Sequence, residues 1–326
     1  MPLTSENRSQ AILALGSLAA GLAGYFIFCR LVGAPPPGIV PVAVTAAMLV
    51  SAAYSLFNST TRQSMPAGAW GVAALLTAGT VLALSNASQL VGYLRLPADL
   101  LSFSGSPFVN DILKFRSGVP IYTAPGDNNS HPYTPGPPVL TYLISSALGH
   151  ADSIPFFRQT QFFYVLLACV IAASVCDQLA RALLADREYK NRLLWLPVWF
   201  LFIFLLATDR RFNLYTHSLH NDGLALLVSV TAYWSIVRHS ITRSRWLVGL
   251  MAVLPALGFL AKQNQLMWAG VFLVYLLAVG RVPARQLLVY VSGSAVSLLA
   301  AVGTCYWLWG DNFLWWVFTG LGSKQV

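Results

Sequence analysis

The sequence predicts an all-α fold, a polytopic transmembrane helical bundle with one long external loop that carries interfacial helices. Three observations predict it. Hydrophobic residues make up 56% of the chain and charged residues only 10%, where a soluble domain carries about a quarter charged residues. Mean hydropathy is +0.63, so lipid must be the solvent for most of the chain. Apolar runs of spanning length recur from end to end. The net charge of +9 then sets orientation in the membrane and is not a nucleic-acid signature.

Taken in order, the runs predict about nine spans, near residues 10–33, 38–57, 69–94, 160–180, 193–208, 223–238, 246–261, 265–280 and 286–309. The first two form an N-terminal hairpin within residues 1–68, and residues 69–326 form the larger module. Ala34-Pro35-Pro36-Pro37-Gly38 forces the break inside the hairpin. The start of the chain shows no small-residue cleavage site, so the first run is expected to be a retained helix. A further run, Pro137 to Gly149, is too short to span comfortably and is expected to be a half-inserted or interfacial helix. Cys29, Cys169, Cys176 and Cys305 lie in or beside apolar runs without CxxC spacing and are expected to pack as small apolar residues.

Charge asymmetry orients these spans. With Arg8 in the cytoplasm and 137–149 not crossing, the basic connections holding Arg62, then Arg181 to Arg192, then Arg238, Arg243 and Arg245, then Arg281 and Arg285 all fall on one side. Four polar segments then fall on the other: the loop 95–136, Asp209 to Asp222, Lys262-Gln263-Asn264 and Gly310-Asp311-Asn312. Such convergence predicts a site near the external membrane surface.

In the loop, Asp111 opens an amphipathic stretch ending at Gly118, with Ile112, Leu113 and Phe115 expected toward lipid. Gly118-Val119-Pro120-Ile121-Tyr122 forms a turn, and Tyr133-Thr134-Pro135-Gly136-Pro137-Pro138 leads into the short helix. A loop of about 40 residues is uncommon unless it functions or is disordered. In the second segment, Asp222 sits where a helix begins and would otherwise serve as a cap or dipole partner. His217, His220 and Asp222 could hold a divalent metal. Arg210 and Arg211 suit a phosphate group or the lipid headgroups. In the third, Lys262, Gln263 and Asn264 form a polar break between close spans, where Lys262 could also snorkel.

At these residues the chain resembles the GT-C superfamily of membrane glycosyltransferases. Asp111, Gly118 to Tyr122 and Tyr133 to Pro138 resemble the family's first external loop; His220-Asn221-Asp222-Gly223-Leu224-Ala225 and Ala261-Lys262-Gln263-Asn264 resemble two later segments. The resemblance covers residues 69–312. It implies a polyprenyl-phosphate-linked sugar as donor, a glycan, lipid or protein acceptor, and inverting transfer of a hexosyl or pentosyl group at the periplasmic face of a bacterial inner membrane. Asp111 is the candidate base. Lys262, Gln263, Asn264, Arg210, Arg211, His220, Asp222 and Tyr133 are candidate substrate-binding residues. No cofactor is implied beyond a divalent metal at His217, His220 and Asp222. Asp111 has no adjacent acid, whereas the family often carries two, and the family's further C-terminal spans and soluble region do not follow residue 312, so the module is expected to be incomplete there.

Two other classes fit a polytopic protein: a lipid-linked sugar transporter or flippase, and a non-catalytic scaffold. A transporter needs polar groups along a path at mid-membrane depth. The spans offer Ser85, Asn86, Ser88 and Asp177, and little else charged. Asn58-Ser59-Thr60 and Asn128-Asn129-Ser130 fit glycosylation sequons, which matter only in a eukaryotic secretory pathway.

Overall fold

The computed structural model describes residues 80, 83, 90–97, 105–125, 129–183, 192–208 and 219–320. The first two predicted spans and most of the third lie outside these residues, as do Arg210, Arg211 and His217. Among the described residues every regular element is helical. Four helical stretches are long and apolar enough to cross a membrane: Ile154–Ala180, Asp222–Thr242, Gln263–Gly280 and Ala284–Thr319. The chain is on this ground a helical membrane protein.

The chain divides into two units, one of Met1–Gly92 with Asn191–Asp209 and one of Tyr93–Lys190 with Arg210–Val326. The first unit is described mainly by a single helix, Arg192–Thr208, which is 17 residues long. At 1.5 Å per residue it reaches about 26 Å, a little less than a bilayer core. Within it the Thr208 hydroxyl turns back on the Phe204 carbonyl at 2.7 Å.

The second unit holds the candidate residues that can be placed. In chain order, with the first unit's helix as α4, its helices are α1 (Gly105–Arg116), α2 (Gly136–Ala147), α3 (Ile154–Leu183), α5 (Asp222–Thr242), α6 (Arg245–Ala261), α7 (Met267–Val274) and α8 (Ala284–Leu314). A 3₁₀ turn, Gln263–Leu266, precedes α7. Helix α3 packs along α5, α5 along α6 and α6 along α8, while α2 bridges α1, α3 and α6. Small residues at helical spacing let these helices approach. Ala225, Val228 and Ala232 of α5 meet Val248, Met251 and Ala252 of α6, and Trp268, Phe272 and Tyr290 fill the space beside them.

Helix α1 differs from the sequence expectation. It begins at Gly105, six residues before Asp111, with Pro107 in its first turn where proline costs no hydrogen bond. Ile112, expected toward lipid, is buried with Phe108 and Val109 against Phe157 and Leu219. The stripe 108, 109, 112 follows the helical period and turns inward, leaving Leu113 exposed. Helix α2 matches the expected short helix; its 12 residues begin with Pro137 and Pro138 in the first turn.

The polar break at Gly310 is a kink, not an end. Gly310 takes φ 62° and ψ −150°, and helical hydrogen bonding resumes beyond it. This sends Phe313, Trp316 and Val317 onto Ile121, Tyr122 and Phe259. The Trp316 indole N–H donates to the Thr123 carbonyl at 2.8 Å, fixing the first loop against the end of α8.

Candidate functional site

The site is built where α5 begins and α6 ends. Asp222 is the first residue of α5. Lys262 follows the last residue of α6 in an extended conformation, φ −165° and ψ 129°, that directs the chain away from the helix. Its Nζ donates to Asp222 Oδ1 at 2.6 Å. His220 Nδ1 lies 2.6 Å from Asp222 Oδ2. One carboxylate thus holds one group from each of two segments 40 residues apart, and both of its oxygens are engaged.

The first loop closes onto this pair. The Tyr133 ring meets the His220 ring edge-on, centroids 5.6 Å apart. The Lys262 ammonium stands 5.5 Å from the Tyr133 centroid, within cation–π range. His131 stacks edge-on against Tyr133 from the loop side at 4.4 Å. The Gln263 side-chain amide donates to the Pro132 carbonyl at 2.9 Å. Just below, α2 reaches α6 so closely that a Cβ on Gly136 would stand 2.4 Å from the Leu260 carbonyl oxygen. Only glycine permits that approach. Asn264 is exposed beside these contacts.

Asp111 lies deeper. It is 4% exposed, and its Oδ1 has no hydrogen-bond partner among the described residues. Burial pushes its carboxyl up to about 8 from 3.8, against the pull of nearby Lys114. Lys114, one turn on, folds inward to the carbonyls of Ile121 and Asn129, holding the loop to α1. The Tyr122 phenol, raised well above its usual range chiefly by burial and further by Asp111, stays protonated. Its hydroxyl donates to the Tyr133 carbonyl at 2.6 Å. Tyr122 therefore links the Asp111 environment to the residue whose ring lies on His220 and Lys262.

The structure thus brings together Tyr133, His220, Asp222, Lys262 and Gln263; Asp111 belongs to the same unit but makes no direct contact with them among those described. Arg210, Arg211 and His217 lie outside the described residues. Among the described residues no group of three His, Cys, Asp or Glu could hold a metal ion. The Asp222 oxygens, one on an ammonium and one on an imidazole, do not fit a divalent cation as they stand.

Sequence reasoning missed several partners. Tyr122 was visible only as a turn residue. Lys114 was grouped with an amphipathic interfacial stretch and given no role, yet it is 7% exposed. Gln161 is the first-turn amide of a predicted span and donates to the Thr141 hydroxyl at 2.6 Å; the polar run Arg158-Gln159-Thr160-Gln161 at the edge of an apolar stretch was the available signal. No protein-family model matches the chain, and no curated protein or solved structure matches it either.

Proposed function

We propose that this protein is a membrane glycosyltransferase that moves a sugar from a polyprenyl-phosphate donor to an acceptor hydroxyl, with inversion, at the non-cytoplasmic face. The observation that carries the reading is the convergence of three separated polar segments on Asp222 through Lys262, His220 and Tyr133. Polar groups set between apolar helices are costly without a task.

Sidedness has its own support. Asp222 and Lys262 meet at the start of α5, while Arg243, just past its end, donates to the Gly280 carbonyl at 2.6 Å. The basic turns at 243–245 and 281–285 therefore gather at the end of the helices opposite the candidate site. By the positive-inside rule that basic end is cytoplasmic.

In the proposed step the acceptor oxygen attacks the anomeric carbon from the face opposite the phosphate. The bond between that carbon and the phosphate oxygen breaks, and its electron pair leaves with the polyprenyl phosphate. The acceptor proton passes to the Asp111 carboxylate. A phosphate leaving group needs cationic stabilisation more than a proton. Lys262 keeps two donor protons beyond the one given to Asp222, and Arg210 and Arg211, outside the described residues, are the further candidates for that charge. A base raised toward neutral pH is suited to its task, and the unpartnered Asp111 Oδ1 is available to accept.

Full-length protein in proteoliposomes with a radiolabelled polyprenyl-phosphate sugar separates the three classes. Transfer or hydrolysis of the sugar, lost in Asp111→Asn, is the expected result. Movement of intact lipid across the bilayer without chemistry would establish a flippase, and neither event would leave a scaffold.

A further inference from the structure

Two turns at the basic end of the helices share a backbone feature that orientation in the membrane does not explain. Arg243 follows α5 with φ 53° and ψ 28°. Beyond α7 the chain makes a π-helical turn, Tyr275–Gly280, and Arg281 follows it with φ 45° and ψ 46°. Among the described residues these are the only non-glycine residues with positive φ. Left-handed backbone just past a helix is ordinarily taken by glycine, because a Cβ is strained there. The positive-inside rule asks only for cations in the connections. It does not account for arginine in this conformation twice.

The two turns form one surface. Arg243 Nη1 donates to the Gly280 carbonyl at 2.6 Å, which seats the guanidinium beside the backbone of Arg281. Beneath them the His239 ring is tied to the Tyr275 hydroxyl at 2.9 Å, and a Cβ on Gly280 would lie 3.7 Å from His239 Cε1. Arg245 and Arg285 belong to the same two turns, and all four arginines are exposed. No Asp or Glu occurs between Gly223 and Gly310. Among the described residues none of the four arginines is paired with a carboxylate. A guanidinium carries five N–H donors, and the Gly280 carbonyl takes one of those on Arg243.

Large apolar side chains adjoin the same turns. Trp246 is 57% exposed, Val279 60% and Leu288 67%. An indole among exposed aliphatic groups marks the level where hydrocarbon meets headgroups. Arginines just beyond that level stand at the depth of lipid phosphates.

We infer that Arg243 and Arg281, flanked by Arg245 and Arg285, form a docking surface for the phosphate of an anionic phospholipid in the leaflet at this end of the molecule. A guanidinium takes a phosphate through two parallel N–H bonds, and that contact offsets the strain of the left-handed backbone. A soluble acidic partner matches less well, because it would meet Trp246, Val279 and Leu288 at the edge of the patch. The inference is independent of the glycosyltransferase reading and of the Asp222–Lys262 corner.

The test counts the phospholipids that the full chain retains, by native mass spectrometry, on release from nanodiscs of phosphatidylcholine and phosphatidylglycerol in equal parts. Phosphatidylglycerol should be retained in preference, each engaged arginine being worth about fivefold. Arg281→Gly should cut the preference about fivefold. Its melting temperature in pure phosphatidylcholine should not fall, because glycine takes this conformation without strain. Arg285→Gln should also cut the preference and serves if the glycine variant does not fold. Arg116→Gln, which removes an exposed arginine of α1, should leave the preference intact.

Equal retention of the two lipids by the wild type would overturn the inference. So would a preference undiminished in both Arg281→Gly and Arg285→Gln. An equal loss in Arg116→Gln would mark diffuse attraction by net charge and would overturn the docking surface as well. Displacement of phosphatidylglycerol by inorganic phosphate at the same concentration would assign the arginines to a free anion and not to a lipid.

Discussion

Asp111 is held protonated by burial, and that makes its contribution dependent on pH in a defined direction. A base must be ionised, so activity should climb with pH and level off above about 8, where the carboxyl titrates. Stability should move the opposite way. The folded protein keeps this proton up to about 8 and the unfolded chain loses it near 3.8. The folded state therefore binds more protons between those values, and stability falls as pH rises across them. Melting curves of wild type and Asp111→Asn from pH 5 to 8 check this; the asparagine variant should show the flatter dependence. At Asp222 the prediction concerns coupling. Asp222→Asn and Lys262→Met remove partners 2.6 Å apart, so their effects on stability should fall short of additivity by about 0.5–3 kcal/mol in a double-mutant cycle. Additive effects would mean that the pair is not formed. The chemical types of these residues were legible in the sequence because a carboxylate or lysine between apolar runs stands out. Asn221 was quoted within a motif but given no role, and Gln161 was not singled out, since an uncharged amide at a helix end looks the same whether or not its hydrogen bonds are made.

Helices were legible wherever one apolar run coincided with one helix. The runs expected at 160–180, 223–238, 246–261, 265–280 and 286–309 each fall within an observed helical stretch. Hydropathy reports solvent, however, and not neighbours. It placed Ile112 toward lipid, and the structure turns it inward because Phe108 and Val109 one turn earlier share its face. It ended the last span at Gly310, where the backbone kinks and the helix continues to cover Tyr122. The contact of α2 with α6 was likewise hidden, because it depends on what Gly136 lacks. Gly136→Ala would drive a methyl into the Leu260 carbonyl. It should cost about 1–3 kcal/mol as overpacking does, and it should weaken the Gln263–Pro132 contact that seats Tyr133. Detergent melting together with the binding of polyprenyl phosphate measures both effects.

At the scale of the whole molecule, the account depends on charge and topology agreeing. The basic turns after α5 and before α8 lie together at one end, and the Asp222–Lys262 corner lies at the other. That opposition was anticipated from the order of charges along the chain, because the positive-inside rule acts on connections and needs no side-chain geometry. The contacts that close the corner, Tyr133 on His220 and Trp316 on Thr123, join residues 87 and 193 positions apart in sequence and could not be read from it. The central claim is that the first loop and the Lys262 turn open on the same, non-cytoplasmic side. Single cysteines at Ser117, Asn264, Thr242 and Ala284, all exposed positions, can be introduced after the four native cysteines are replaced. They can then be labelled in intact cells with a membrane-impermeant maleimide. Positions 117 and 264 should react from outside, and positions 242 and 284 only after permeabilisation. Labelling of 117 and 264 from opposite sides would contradict the account.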